Sequence, residues 1–162
     1  MPNTASDAAA HDFDALYAAH FQRLTLQLYA YLGDLGEAQD VVQEAFCRAY
    51  ARWKSIERYD DPIAWVRRVA WNLATSRFRR QATVRKFLGR QREETVDEPN
   101  ADRVALTRAL ATLPVQHRRA VVMHYLGQQS VAEIAAAEGV PAGTVKSWLS
   151  RGRAALAVAL KS

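Results

Sequence analysis

Residues 130–156 read SVAEIAAAEGVPAGTVKSWLSRGRAAL, and this stretch predicts two helices joined by a tight turn. Ser130 and Glu133 have the spacing of a capping box, in which each side chain bonds to the backbone N–H of the other residue. Gly139 suits the left-handed conformation that ends a helix, and Pro141 suits the first turn of the next one. The pattern therefore predicts a helix-turn-helix.

The second of these helices has an apolar face and a polar face. Apolar residues recur at helical spacing and predict the buried side: Val145, Leu149, Leu156 and Leu160. Cations and hydroxyls lie mostly elsewhere: Lys146, Ser147, Ser150, Arg151 and Arg153. This arrangement is typical of a helix that reads DNA in the major groove, and a helical hairpin with a solvated basic face is the alternative.

The overall composition indicates an all-α protein in a reducing compartment. The 162 residues include only 7 Gly and 5 Pro, and a hydrophobic content of 49% is enough for packed cores. The single cysteine, Cys47, excludes an internal disulfide, fits the cytoplasm, and lies in an apolar helical pattern that predicts a buried thiol. Without an apolar run of about 18 residues or a secretion signal, we expect a soluble chain with no membrane insertion.

The net charge of +5 conceals two basic blocks separated by an acidic one. Residues 61–92 hold nine Lys or Arg against one Asp, and residues 103–162 hold eight against two Glu. Residues 93–102 hold five acidic residues and no basic ones. Because each basic block falls on a predicted helix, the pattern indicates two contacts with a polyanion.

Helical periodicity divides the chain into two small helical domains joined by a flexible linker. The expected segments are a disordered tail over 1–11, a first domain over 12–80, a linker over 81–101 and a second domain over 102–162. Within the first domain, residues 54–60 are predicted to form a loop. Asp61 and Pro62 then supply a cap and a favourable first residue for a helix that runs to about residue 80.

That helix includes AWVRRVAWNLATSRFRR, residues 64–80, which interleaves cations, amides and aromatics around an apolar stripe. Cations hold phosphates, and exposed aromatic faces stack on unpaired bases. The segment therefore predicts contact with single-stranded or distorted DNA. Trp65 and Trp71 are each equally consistent with a place in the core.

A polar strip is predicted on the preceding helix, where residues 40–46 read DVVQEAF. Apolar residues cover one side and leave Asp40, Gln43 and Glu44 on the other. An ordinary solvated face is the default interpretation of such a strip. An acidic strip also suits a protein partner that carries cationic side chains.

The sequence carries no pattern typical of an enzyme. Its four histidines form no metal-ligand spacing with one another or with Cys47. There is no Gly-rich phosphate loop and no nucleophile elbow. We therefore expect no metal, no cofactor and no catalytic residue.

Taken together, these motifs resemble the extracytoplasmic-function group of the sigma-70 family, the bacterial RNA polymerase initiation factors. DVVQEAF resembles the region 2.2 signature D-x-V-Q-E-x-F, and the segment 64–80 resembles the region 2.3–2.4 pattern A-W-x-x-x-I-A-x-N. Residues 113–156 resemble region 4. The order and separation of the three motifs match the family from about Phe13 to Leu160.

The resemblance implies two partners, core RNA polymerase and promoter DNA. On the family pattern, Asp40, Gln43 and Glu44 contact the β′ coiled coil of the core, and the β flap is the second expected contact on the core. Recognition and melting of the −10 element involve Tyr59, Arg67, Arg68, Trp71, Asn72 and Arg77. Recognition of the −35 element involves Lys146, Ser147, Ser150 and Arg151.

The resemblance further implies a cytoplasmic promoter-specificity subunit without enzymatic activity, and the family often has an anti-sigma partner. One position departs from the family pattern, since Trp148 stands where V-[KR]-S-R-[LI] has Arg. Tryptophan cannot supply a cationic phosphate contact. The alternative function is a stand-alone helix-turn-helix regulator, which would bind duplex DNA without polymerase.

Overall fold

The computed structural model describes residues 4–88 and 101–161, and every regular element within these ranges is helical. In chain order the elements are α1 (Thr4–Leu32), α2 (Leu35–Ala51), α3 (Trp53–Ile56), α4 (Pro62–Leu88), α5 (Ala101–Ala111), α6 (Val115–Val121), a π-helical turn (Val122–Leu126), α7 (Val131–Glu138) and α8 (Ala142–Lys161). The predicted all-α class is confirmed.

The described residues belong to two compact units. The first falls within Met1–Leu26 and Gly36–Glu94, and the second within Gln27–Leu35 and Thr95–Ser162. The last turns of α1 are therefore part of the second unit's packing. Leu28 and Tyr31 there are almost completely buried. Helical periodicity alone predicts these residues to be part of the first domain, because their spacing continues that of the preceding turns.

The first unit is built on the periodic apolar faces of α2 and α4. On α2 the buried side chains recur at helical spacing: Val41, Val42, Ala45, Phe46 and Ala49. On α4 Val66, Ala70 and Ala74 are completely buried. Both stripes follow the predicted helical spacing, because each helix is stabilised chiefly by burying one face. Tyr50 continues the α2 spacing and is nevertheless 61% exposed.

Three helix boundaries differ from the predictions. Helix α1 begins at Thr4, inside the segment expected to be a loose tail, where several alanines favour the helix. Helix α3 occupies part of the predicted loop because Trp53 and Ile56 are both buried. Helix α4 continues to Leu88 rather than ending near residue 80, since no Gly or Pro interrupts it. The rest of the predicted linker, residues 89–100, lies outside the described residues.

Cys47 is exposed, and the prediction of a buried thiol is wrong. It lies four residues after Gln43 on α2 and therefore shares the polar side of that helix. The nearby apolar residues Phe46 and Ala49 are buried instead.

The helix-turn-helix forms as predicted in the second unit. Glu133 N–H donates to Ser130 Oγ at 3.0 Å, and Ser130 N–H donates to Glu133 Oε1 at 3.1 Å, which completes the capping box. Gly139 ends α7 in the left-handed conformation at φ 68°. Helix α8 packs against α5, α6 and α7, with Val145 and Leu149 buried as expected. Leu160, predicted on the same face, is 54% exposed near the end of the helix.

The helix that precedes α7 ends in a π-helical turn, which is wider than an α-helical turn. The sequence predicts one helix over 115–126 with Tyr125 and Leu126 facing a core, but the π-helical turn leaves both exposed, because its extra residue rotates the side chains that follow. The His124 ring nitrogen Nδ1 lies 2.8 Å from Gln129 O and spans the turn. Gln128 has a positive φ of 55°, which is uncommon outside glycine.

Arg118 is a buried cation in the core of the second unit. Its guanidinium donates to three backbone carbonyls, Tyr31 O at 3.2 Å and Ala111 O and Leu113 O at 3.1 Å. These acceptors lie at the end of α1, at the end of α5 and in the connection between α5 and α6. The side chain thus satisfies carbonyls that the helix ends leave without an intrahelical donor.

Gly152 allows α8 to approach α6 closely. A Cβ built at this position would lie 2.5 Å from Val121 Cγ2 and 3.5 Å from Leu113 Cδ2. A side chain at 152 therefore requires either Val121 or the helix itself to move. The absence of a Cβ sets the depth at which α8 is seated.

Gly152→Ala is expected to lower the free energy of unfolding by about 1–3 kcal/mol, because overpacking displaces well-packed neighbours. Gly143→Ala on the same helix is the matched control, since a Cβ there meets nothing within 4 Å. The control variant should keep or gain stability, by up to about 1 kcal/mol, from its higher helix propensity. Urea unfolding followed by circular dichroism measures both. Equal stabilities would contradict the close approach at Gly152.

Candidate functional site

The recognition helix α8 presents its predicted polar residues to solvent. Lys146, Ser150 and Arg151 are exposed, and Ser147 is half-buried. Within the described part of the chain, none of these four side chains makes a hydrogen bond or an ion pair. Two cations and two hydroxyls on the first turns of α8 are therefore available to an external anion.

Other cations of the second unit make contacts within that unit. Arg119 Nε lies 2.7 Å from Glu138 Oε1 and joins α6 to α7. Arg153 Nη1 donates to the Tyr125 hydroxyl at 2.9 Å. The basic block at 103–162 thus contains cations that brace the fold as well as cations that face solvent.

Trp148 is half-buried at the side of the exposed face of α8. It lies one helical turn from Thr144 on one side and from Arg151 on the other. Its indole offers one N–H donor and two apolar faces but no charge. At this position α8 can make apolar or hydrogen-bonded contacts beside the cations.

Helix α4 exposes a second polar row. Arg68 and Asn72 are exposed one turn apart, and Tyr59 in the preceding loop is 48% exposed. Trp65 is half-buried and lies three residues before Arg68, so it flanks the same row. The row combines a cation, an amide and aromatic rings.

Trp71 is not part of this row. Its side chain is only 2% exposed and lies in the core of the first unit. The prediction that Trp71 faces DNA does not fit this burial, because a ring in the core cannot stack on a base. Trp65 is the tryptophan of α4 that reaches the surface. Trp65 lies seven residues, or two helical turns, before Asn72 and therefore on the same side of α4. This spacing distinguishes the exposed Trp65 from the buried Trp71.

Arg77 is drawn towards α2 rather than towards solvent. Its Nη1 donates to Glu37 Oε2 at 2.7 Å and lies 3.8 Å from Asp40 Oδ2. Arg77 was predicted to contact DNA, but it forms this ion pair with Glu37 instead. The pair joins residues 40 positions apart, so local helical spacing does not reveal it. Arg77 therefore stabilises the packing of α4 on α2.

Arg67 is half-buried near His20. Burial and then the neighbouring Arg23 and Arg67 cations lower the pKa of His20 below its ordinary value of 6.5, with Asp61 opposing them. His20 is therefore neutral near pH 7. The positive charge on this side of the first unit comes from the arginines.

The polar strip of α2 is exposed as predicted, with Asp40, Gln43 and Glu44 all facing solvent. Each makes one side-chain contact within the first unit. Glu44 pairs with Arg48 at 3.1 Å, Asp40 lies 3.8 Å from Arg77, and Gln43 accepts a hydrogen bond from Tyr17. The strip is an ordered surface as well as an exposed one.

Residues 4–88 and 101–161 contain no group of three His, Cys, Asp or Glu side chains arranged to hold a metal ion. None of the helices in these ranges is long and apolar enough to cross a membrane.

Two family models match the chain. Sigma-70 region 2 matches residues 16–84, and sigma-70 region 4 matches residues 103–156. The RNA polymerase sigma-E factor of Streptomyces coelicolor is 38% identical over 123 residues, which cover 74% of this chain and 70% of that protein. The ECF RNA polymerase sigma factor SigL of Mycobacterium tuberculosis is 35% identical over 155 residues, covering 91% of this chain and 88% of SigL.

The chain belongs to the extracytoplasmic-function group of the sigma-70 family. A solved relative is the sigma factor RpoE from Bartonella quintana in complex with the anti-sigma factor NepR. It superposes with a TM-score of 0.78 at 26% identity and covers 93% of this chain and 97% of that one. This sigma factor directs promoter-specific transcription initiation with core RNA polymerase and is not an enzyme.

Arg68 and Arg77 of the sigma factor form a matched pair for substitution by glutamine. Arg68→Gln is expected to leave stability unchanged and to reduce the salt dependence of promoter binding by about one phosphate contact. Arg77→Gln is expected to lower the free energy of unfolding by about 1 kcal/mol, because it removes a partly buried ion pair. Urea unfolding and promoter binding by the polymerase complex over a range of salt concentrations separate the two effects. A reduced salt slope for Arg77→Gln would show that Arg77 contacts DNA after all.

Proposed function

We propose that this sigma factor binds the promoter through two exposed polar rows, one on α8 and one on α4, and binds core polymerase through the strip on α2. The observation that supports this assignment is the division of the cations. Lys146 and Arg151 are exposed and have no partner among the residues that the structure describes, whereas Arg119 and Arg153 are engaged within the second unit. The functional division of the chain at 12–80, 81–101 and 102–162 is part of the proposal.

Helix α8 is proposed to read the −35 element in the major groove. Arginine there pairs with the O6 and N7 acceptors of guanine, which suits the exposed Arg151. Lys146 supplies a second positive charge, and Ser147 and Ser150 are short enough to contact a base edge or a phosphate. Trp148 is proposed to lie against a thymine methyl group or a sugar, because it has apolar faces and no charge.

The row on α4 is proposed to act at the −10 element. Arg68 and Arg67 neutralise phosphates, Asn72 hydrogen-bonds a displaced base, and Tyr59 and Trp65 offer aromatic faces for stacking. Stacking is worth about 1–3 kcal/mol per base, which is comparable with the cost of unpairing one. Capture of unpaired bases therefore offsets the cost of local melting.

Two surfaces are assigned to core binding, an acidic one by its charge and an apolar one by its lining. The strip on α2, with Asp40 and Glu44 exposed, suits cationic side chains such as those of the β′ coiled coil. In the second unit an apolar cavity of about 280 Å³ is lined by residues that include Leu110, Val122, Tyr125 and Leu156. It suits an apolar segment, which we assign to the β flap.

Two further assignments rest on the family. An anti-sigma partner is proposed from the solved complex of RpoE with NepR. The cytoplasm is proposed as the compartment because core polymerase and promoter DNA are located there.

The test is transcription with purified components. Core polymerase with this chain should produce transcripts from defined start sites, and neither component alone should do so. A gel shift with and without core separates this function from that of a stand-alone regulator. Tight, sequence-specific binding of duplex DNA by the chain alone would favour the regulator, and start-site-specific transcription by core alone would refute the sigma assignment.

Arg151→Ala is expected to weaken promoter binding by about 1–3 kcal/mol on promoters with an intact −35 element, because it removes a base contact. Lys161→Ala is the control on the same helix, since it removes one positive charge from an exposed side chain ten residues further along and outside the lining of the apolar cavity. Transcription from paired promoters with intact and scrambled −35 elements provides the measurement. An equal loss on both promoters would reduce Arg151 to a phosphate contact.

A further inference from the structure

A hydrogen bond joins α1 to the polar strip of α2. The Tyr17 hydroxyl donates to Gln43 Oε1 at 3.0 Å, although the two residues are 26 positions apart in sequence. Gln43 is exposed and lies between Asp40 and Glu44 in the helical row. The contact therefore acts on the middle residue of the surface that is proposed to bind core polymerase.

The Tyr17 ring is held in place by aromatic neighbours. It stacks on Phe21 with ring centroids 4.8 Å apart and meets Phe46 edge-on at 5.0 Å. Phe13 lies 6.5 Å away on the other side. Phe46 is almost completely buried, so this cluster is anchored in the core of the first unit. Because tyrosine has only two side-chain torsions, fixing the ring also fixes the position of the hydroxyl oxygen.

The hydrogen bond determines which part of Gln43 faces a partner. Since the Tyr17 hydroxyl takes Oε1, both N–H groups of Nε2 remain available as donors. An exposed glutamine without a partner samples many rotamers, and ordering it on binding costs side-chain entropy. A side chain already held in place avoids much of that cost.

We propose that Tyr17 is a positioning residue for the core-binding surface, which holds Gln43 so that its amide N–H groups meet an acceptor oxygen of core polymerase. This inference rests on the proposed role of the α2 strip. It extends the surface to a residue of α1 that lies outside the DVVQEAF motif. The partner group is a carboxylate or a backbone carbonyl, because only an acceptor can pair with the outward-facing donors.

If Tyr17 had only a structural role, Tyr17→Phe would lower the free energy of unfolding and leave core binding unchanged. A solvent-exposed hydrogen bond between two side chains contributes little to folding. Tyr17→Phe retains the ring contacts and removes only the hydroxyl. Its effect should therefore fall on core binding and not on stability. Tyr50 provides a matched control, because its ring contacts Phe13 in the same cluster and its hydroxyl makes no hydrogen bond within the described residues.

The experiment measures competition for core polymerase between a fluorescent chain and unlabelled variants. The label is attached at the C-terminus, since Cys47 lies one turn from Gln43 and a label there would disturb the surface. The variants are Tyr17→Phe, Tyr50→Phe, Gln43→Ala and the double variant Tyr17→Phe with Gln43→Ala. Urea unfolding of each variant reports on folding.

Tyr17→Phe is expected to weaken core binding about threefold to tenfold, the range of one hydrogen bond. Tyr50→Phe should bind as the unaltered chain does. Adding Tyr17→Phe to Gln43→Ala should cause no further loss, because Tyr17 acts through Gln43. An unchanged affinity for Tyr17→Phe, an additive loss in the double variant, or an equal loss for Tyr50→Phe would each overturn the proposal.

The double variant Asp40→Ala with Glu44→Ala distinguishes the proposed role of Tyr17 from the proposed core-binding role of the α2 strip, on which it rests. If that variant and Gln43→Ala both bind core normally, the α2 strip is not the core-binding surface, and both proposals fail. If both lose affinity and Tyr17→Phe does not, only the role of Tyr17 is refuted.

Discussion

The close approach of α8 to α6 at Gly152 is the constraint on which the helix-turn-helix depends. With no Cβ at that position, Val121 packs directly against the backbone of α8, and Val145 and Leu149 become buried along the same side. When one side of a helix is buried, the residues on its opposite side are left facing solvent. The exposed row with Lys146 and Arg151 is therefore a consequence of how α8 is seated.

Burial alone does not separate the structural cations from those that can bind DNA. Arg118 is buried against three backbone carbonyls, and Arg77 reaches across to Glu37 on another helix. Arg153 is exposed and still engaged by a tyrosine hydroxyl. Lys146 and Arg151 have no such partner among the described residues. Electrostatic attraction to a polyanion is distributed over all these charges, but specific contact requires a side chain that is free to move to the ligand.

The candidate surfaces of the first unit are carried by helices rather than by loops, apart from Tyr59. The α2 strip and the row on α4 both lie opposite buried apolar stripes. Initiation is a matter of differential binding, since free energy from phosphates and unpaired bases must offset the cost of opening the duplex. Surfaces on packed helices lose little entropy on binding, which leaves more of that free energy for melting.

The sequence alone determined the all-α class, the capping box at Ser130, the turn at Gly139 and the family motifs, because these depend on local periodicity and on backbone preferences of single residues. It also placed Asp40, Gln43, Arg68, Asn72 and Lys146 on polar faces. Only the tertiary structure decided the fate of residues whose partners are remote in the chain. Trp71 entered the core, Arg77 paired with Glu37, and Tyr17 met Gln43. Helical spacing gives the direction of a side chain relative to its own helix, and only packing determines what lies in that direction.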